Sequence, residues 1–410
     1  MSQIYYDLRG LLPLPIPGQL RMAGMVRTII EWAGHLLEDP TVKFIAPGQE
    51  RIIHDALVNA SLPQVANRME AAAFQSRTVW LTSMVYCDLA RRDLLSKARR
   101  IAAITYAGNQ FPNDTSRFFR NTPPVARSIY FLPYVRELPS DLPPECVPVI
   151  NLFDLIPMLF HDSSLLRRRE YDKAVRSVRD IGGHFIVNSR YTRHALVSMY
   201  NVPLEKVHVV SLGVDQSGSV SYATPEMTKP YFVCICGDTQ PRKNVEMTIK
   251  AFLRFQEMTG APHELHFIGP SSDAVALKIP RKAGAMKTRV KGLGHLSEAE
   301  LEKAVAQASA GLYLSLHEGF GLPPLEYMKH GLPVICSNVT SIPEVVGDAG
   351  ILVDPFAVDE IANAMRRLTE DDTLAQELRQ RGFERVSRYS WERSAADLSA
   401  TLAGILKGNS

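Results

Sequence analysis

The sequence lacks several features that would point to particular classes of protein. No apolar run among the 410 residues approaches the length of a membrane-spanning helix. The opening Met1-Ser2-Gln3-Ile4-Tyr5-Tyr6-Asp7 has no basic region ahead of an apolar stretch, so no signal peptide is visible and a cytoplasmic location is expected. Cysteine is scarce and scattered: Cys87, Cys146, Cys234, Cys236 and Cys336 are an odd set, which fits reduced thiols better than a disulfide framework. Cys234-Ile235-Cys236 is one residue too tight for a C-x-x-C metal pair and has no matching second pair. A strong charge of one sign is also missing. The net charge of +3 is too weak to argue for nucleic acid.

What is present describes a globular α/β chain. Its 46% hydrophobic and 22% charged residues are ordinary for such proteins, and the length allows two or three domains. Short β-rich runs alternate with helical patterns, which predicts parallel, doubly wound sheets that bind ligands at the carboxyl ends of their strands. The polar, small-residue stretch from Gln216 to Pro225 reads as a linker, after which Tyr231-Phe232-Val233-Cys234-Ile235-Cys236-Gly237 restarts the pattern. Two local basic clusters, Arg91 to Arg100 and Arg167-Arg168-Arg169, read either as solvated helix faces or as attraction to anionic lipid headgroups.

The most informative stretch is His317-Glu318-Gly319-Phe320-Gly321-Leu322-Pro323-Pro324-Leu325-Glu326. The apolar run before it, Gly311 to Leu316, predicts a buried strand. Two glycines permit a sharp turn, and two prolines suit the first residues of a helix, where no N–H need be donated. Such a helix end favours an anion. Glu318 at the turn and Glu326, placed in the first helical turn, suit the hydroxyls of a sugar. Upstream, Arg242-Lys243-Asn244 follows a strand and precedes a helix with Asn244 as the expected N-cap, a combination suited to a diphosphate. Ser297 and Glu300 are spaced as a capping box for another helix.

These motifs resemble, in order, those of the retaining glycosyltransferases of the GT-B fold, family 4: the E-x7-E block, the Arg-Lys-Asn donor-phosphate loop, and the turn at Gly294 and His295 that lies against the nucleotide base. The resemblance is strong over residues 230 to 395 and only an outline over 1 to 215. It implies two Rossmann-like domains facing across a cleft: an acceptor-side domain at 1–215, a linker at 216–229, a nucleotide-sugar domain at 230–388, and a final helix at 389–410 crossing back to the first domain. Gly24-Met25-Val26-Arg27 resembles the family's glycine-rich loop with Val26 in place of its second glycine, and Arg27 would point toward the cleft. Phe153 stands where the family usually has a histidine, and His161-Asp162 lies nearby.

Carried over, the resemblance makes Glu318, Arg242 and Lys243 the catalytic set. The cations would neutralise the leaving diphosphate, and Glu318 with the backbone of Gly319, Phe320, Gly321 and Leu322 would hold the sugar. Glu326 would accept from the ribose hydroxyls. No Asp-x-Asp tripeptide occurs, so the usual metal clamp is unsupported and metal independence is expected, with no cofactor beyond the nucleotide-diphosphate sugar. The donor expected is GDP-mannose, with rhamnosyl, fucosyl or glucosyl donors as alternatives. The expected acceptor is a growing, lipid-linked glycan at the inner membrane face, in polysaccharide or lipopolysaccharide assembly. A nucleotide-sugar epimerase and a catalytically degenerate binding subunit are the other readings of the same residues.

Overall fold

The structure, a computed structural model, describes residues 3–7, 24–36, 39, 41–45, 124, 126–160, 165–216, 230–236, 240–270, 272–280, 284 and 287–408. The expected loop from Leu12 to Gly18, the basic cluster from Arg91 to Arg100, Cys87, His161-Asp162, and all of the 216–229 linker except Gln216 lie outside the described residues. The chain divides into two compact units. One comprises Met1–Val187, Arg193–Val210 and Trp391–Ser410; the other comprises Asn188–Thr192 and Ser211–Ser390.

The first unit is built on a parallel sheet of β1 (Ile4–Asp7), β2 (Val42–Ile45), β3 (Ser128–Leu132), β4 (Cys146–Leu152), β5 (His184–Val187) and β6 (Val207–Val209), ordered β2-β1-β3-β4-β5-β6. Its helices include α1 (Gly24–His35), α2 (Ile156–Leu159), α3 (Leu165–Asp180) and most of α4 (Arg190–Tyr200). The central strands β3, β4 and β5 are buried almost throughout, as strands covered on both faces must be.

The second unit repeats the theme with β7 (Tyr231–Ile235), α5 (Val245–Thr259), β8 (Glu264–Ile268), β9 (Val290–Gly292), α6 (Glu298–Ala306) and β10 (Ala310–Tyr313). It continues through α7 (Leu322–Lys329), β11 (Val334–Ser337), α8 (Ile342–Val346), β12 (Ile351–Val353), α9 (Val358–Glu370) and α10 (Asp372–Val386). The strands, all parallel, run β12-β11-β10-β7-β8-β9. This is the doubly wound order, which reverses direction between β7 and β10. On one face of this sheet Phe232 is packed by Phe252 and Phe255 of α5, with ring centroids 6.5 and 5.3 Å away.

The last helix, α11 (Trp391–Lys407), belongs to the first unit although it ends the chain. Trp391, Ser394, Ala395, Leu398, Leu402 and Ile405 are buried at helical spacing, giving one apolar stripe. That stripe faces α1, where the buried Trp32 indole donates a 2.8 Å hydrogen bond to Ser394.

One glycine fixes how α7 meets its sheet. Gly311 lies in β10, and a Cβ there would come 2.5 Å from Cδ2 of the fully buried Tyr327 on α7. The missing side chain lets the ring lie flat on the strand. The Tyr327 hydroxyl, in turn, accepts the Ile235 N–H at 2.6 Å, at the end of β7. Gly311→Ala should therefore destabilise the protein by about 1–3 kcal/mol through overpacking, read as a lower denaturation midpoint with an unchanged m-value.

Candidate active site

The reversal of strand order between β7 and β10 leaves a crevice beyond their carboxyl ends, because the connections from these two strands leave on opposite faces. Both central motifs fall there. The chain after β7 enters a 3₁₀ turn, Pro241–Lys243, started by proline at its first position. The chain after β10 runs through Leu314 to Gly321 into α7. A backbone hydrogen bond joins the two segments, from the Leu316 N–H to the Arg242 carbonyl at 2.7 Å.

Side chains complete the junction. Lys243 Nζ lies 2.7 Å from Glu318 Oε1 and Arg242 Nη1 lies 3.5 Å from the same oxygen. The three side chains are only 12 to 14% exposed. Lys243 also stands 5.7 Å from the Tyr313 ring centroid, a cation–π distance, and Gln240 accepts from Arg242 Nε at 3.1 Å. Burial by itself would raise the Glu318 carboxyl, but Lys243 and Arg242, with a hydrogen bond from Ser315, outweigh it and hold the group below its ordinary value. Glu318 is thus a buried carboxylate neutralised by two cations, with a surplus of one positive charge.

The turn that carries Glu318 is held by hydroxyls. Thr340 Oγ1 accepts the Glu318 N–H at 3.3 Å, and Ser341 Oγ lies 2.9 Å from the carbonyl oxygens of both Glu318 and Phe320. Within the same unit, Ser189 and Thr192 donate to the Gly319 carbonyl at 2.7 and 3.3 Å. Gly321, at φ +101°, is open to no L side chain without strain and takes the N-cap of α7. His317 is buried and meets Tyr191 edge-on at 5.4 Å; burial lowers its pKa and keeps it neutral near pH 7.

Sequence reasoning did not find Tyr313, Ser315, Thr340, Ser341, Ser189 and Thr192 as parts of this site. Small polar residues at the ends of β5 and β11 were the available signal, but only the fold brings their hydroxyls onto one turn.

Two local expectations are corrected. Glu326 is not in the first turn of α7: Gly321 caps the helix, Leu322 is its first residue, and Glu326 opens the second turn, half-buried. Asn244 occupies the N-cap of α5 but does not cap it with its side chain. Its backbone is left-handed, at φ +56°, and Nδ2 instead donates to the Pro355 carbonyl at 2.8 Å. The Ser297–Glu300 capping box is present as expected.

The other expected residues lie elsewhere. Gly294 and His295 follow β9, the edge strand of the second sheet. Gly294, at φ +70°, donates to Ser272 Oγ at 2.7 Å and accepts from the Gly269 N–H at 2.8 Å, while His295 is exposed. Arg27 lies on α1 of the first unit, 5.8 Å from the Trp391 ring centroid and 3.9 Å from Glu31. Phe153 is half-buried between β4 and α2. Among the described residues no group of three or more His, Cys, Asp and Glu could hold a metal ion, and no helix is long and apolar enough to cross a membrane.

Comparison with known proteins agrees with this geometry. Residues 222–385 match the family Glycosyl transferases group 1. O-antigen chain mannosyltransferase B of Escherichia coli is 29% identical over 57% of this chain and 66% of its own length. The serotype-specific mannosyltransferase WbdA, also of Escherichia coli, is 26% identical over 64% of this chain and 34% of its own length. The chain therefore spans less than two thirds of either relative. The solved structure of WaaG, a glycosyltransferase involved in lipopolysaccharide biosynthesis, shares the fold with a TM-score of 0.62 at 14% identity, covering 98% of this chain and 100% of that one. The chain has the GT-B fold, and its residues 222–385 are related to the group 1 glycosyl transferases.

Proposed function

We propose that the chain is a retaining hexosyltransferase that moves mannose from GDP-mannose to a growing, lipid-linked glycan. The observation that carries the reading is the Arg242–Lys243–Glu318 cluster at the β7/β10 crevice, where cations and a carboxylate meet beside a glycine turn and a helix start. The names of the E. coli relatives support mannose; they say nothing of this chain's acceptor.

In this reading the donor diphosphate takes over the positive charge now shared with Glu318. Arg242 offers a planar fork and Lys243 a point charge, both suited to stabilising the diphosphate as it leaves. Glu318, released from part of that pairing, accepts hydrogen bonds from sugar hydroxyls and, with the Gly319–Leu322 backbone, fixes the anomeric carbon. The anomeric C–O bond to the diphosphate breaks as the acceptor oxygen bonds to the same face. The acceptor's proton passes to the departing phosphate oxygen, so no metal and no separate base are required. Glu326, Gly294 and His295 would serve the nucleoside.

Peripheral contact with an anionic membrane is part of the proposal, and α3 supports it. Its buried residues Ala174, Val175 and Val178 mark the inner side. By helical spacing Leu165, Leu166, Arg169, Lys173 and Arg176 lie opposite. Leu165 and Leu166 are 72 and 67% exposed, beside Arg167, Arg168 and Arg169. Lys173 and Arg176 each pair with a carboxylate at 2.8 Å, and Arg168 donates to the Met158 carbonyl at 3.4 Å. Exposed leucines next to cations suit the headgroup boundary of an anionic bilayer.

Three outcomes test this function. Among GDP, UDP, ADP and dTDP at about 100 times the dissociation constant, GDP should stabilise the protein by about 2.7 kcal/mol and Arg242→Ala should remove the effect; a melting temperature unmoved by all four would point to the degenerate binding subunit. Glu318→Gln should lower donor turnover about 100-fold without weakening GDP binding, and the parent's turnover should survive excess EDTA; full activity in the variant would remove Glu318 from the site. Flotation with vesicles rich in anionic lipid should be lost in the Leu165→Ser/Leu166→Ser double variant, and equal binding to neutral vesicles would argue against the charge-based contact.

A further inference from the structure

Three non-glycine residues among those described have positive φ: Asn201, Asn244 and Thr340. Asparagine tolerates this region because its short side chain bonds locally. Threonine is β-branched, and at φ +58° it is a true outlier. Such strain persists only where the surroundings over-determine the conformation, and it gathers at working sites.

The surroundings here are specific. Thr340 follows β11 and precedes α8, and its Oγ1 accepts the Glu318 N–H at 3.3 Å. The adjacent Ser341 Oγ stands 2.9 Å from the carbonyl oxygen of Glu318 and from that of Phe320. Two neighbouring side chains therefore grip the Glu318 backbone on both sides and reach two residues along the turn. The left-handed step at Thr340 is what puts consecutive residues onto opposite sides of one peptide segment. Glycine would adopt this φ without strain, but it has no hydroxyl to meet the Glu318 amide.

We propose that Thr340 is a positioning residue for Glu318. Its strained backbone holds Oγ1 on the Glu318 amide, and so fixes the direction of the carboxylate and of the Gly319–Leu322 turn before any ligand arrives. The proposal rests on the reading of Glu318 as the group that orients the sugar.

The test compares Thr340→Gly and Thr340→Ser with the parent by amide hydrogen exchange at Glu318, melting temperature, GDP affinity, and kcat and KM for donor turnover. The glycine variant should melt no lower than the parent and bind GDP equally well. It should exchange the Glu318 amide about tenfold faster and lose about tenfold in kcat. The serine variant, which keeps the acceptor oxygen, should recover both. Unchanged Glu318 exchange in Thr340→Gly would overturn the proposal, as would a fall in melting temperature accompanied by lost GDP binding, which would mark a merely structural residue. If exchange accelerates as expected while the parent turns over no nucleotide sugar, the positioning role stands and the glycosyl-transfer reading falls.

Discussion

The ion cluster of Lys243, Arg242 and Glu318 is the constraint to which the rest of the second unit answers. Removing three charges from water is costly, and one carboxylate between two cations recovers that cost only if the geometry is good and the remaining lone pairs are met. Ser315 and the 2.7 Å contact with Lys243 supply that satisfaction. The parallel strands then bring the two loops to one crevice, and the Leu316–Arg242 backbone bond locks one against the other. The two ion pairs leave one positive charge in surplus within the cluster.

Much of this was legible in the sequence because it is local. Strand runs such as Ser128–Leu132 and the helical spacing of Val245, Ile249, Phe252 and Phe255 report burial directly, and the capping box at Ser297 reports a helix start. Gly319, Gly321 and the two prolines announced the turn and the helix that follow β10. The hydroxyl clamp was not legible. Ser189, Thr192, Thr340 and Ser341 are up to 152 residues apart, and small polar residues carry no periodicity that would mark them as partners of one turn. Asn244 misled for a related reason: its type favours an N-cap, but tertiary context uses the same side chain to hold Pro355. Glu326 was misplaced by a single boundary, and a one-residue shift at a helix start moves a side chain by about 100° around the axis.

The first unit shows a different balance. Its sheet core and the stripe of α11 follow from apolar spacing, yet the end of the chain returns to pack beside its beginning, with Trp32 bonded to Ser394 across 362 positions. Spacing could forecast that α11 has a buried face; it could not say which helix covers it. The contact places the first and last described helices in one compact unit.

Gly311 and Tyr327 carry a consequence for how such a domain can vary. The ring occupies the volume that any side chain at 311 would need, and its hydroxyl is committed to the Ile235 amide. Neither position is therefore free to drift alone. A larger residue at 311 is compatible only with a smaller one at 327, and that exchange would remove the partner of the Ile235 N–H, half-buried at the end of β7. The two sites form a coupled pair in which every single step is unfavourable, a barrier to sequence drift placed directly beneath the helix that begins at the candidate active site.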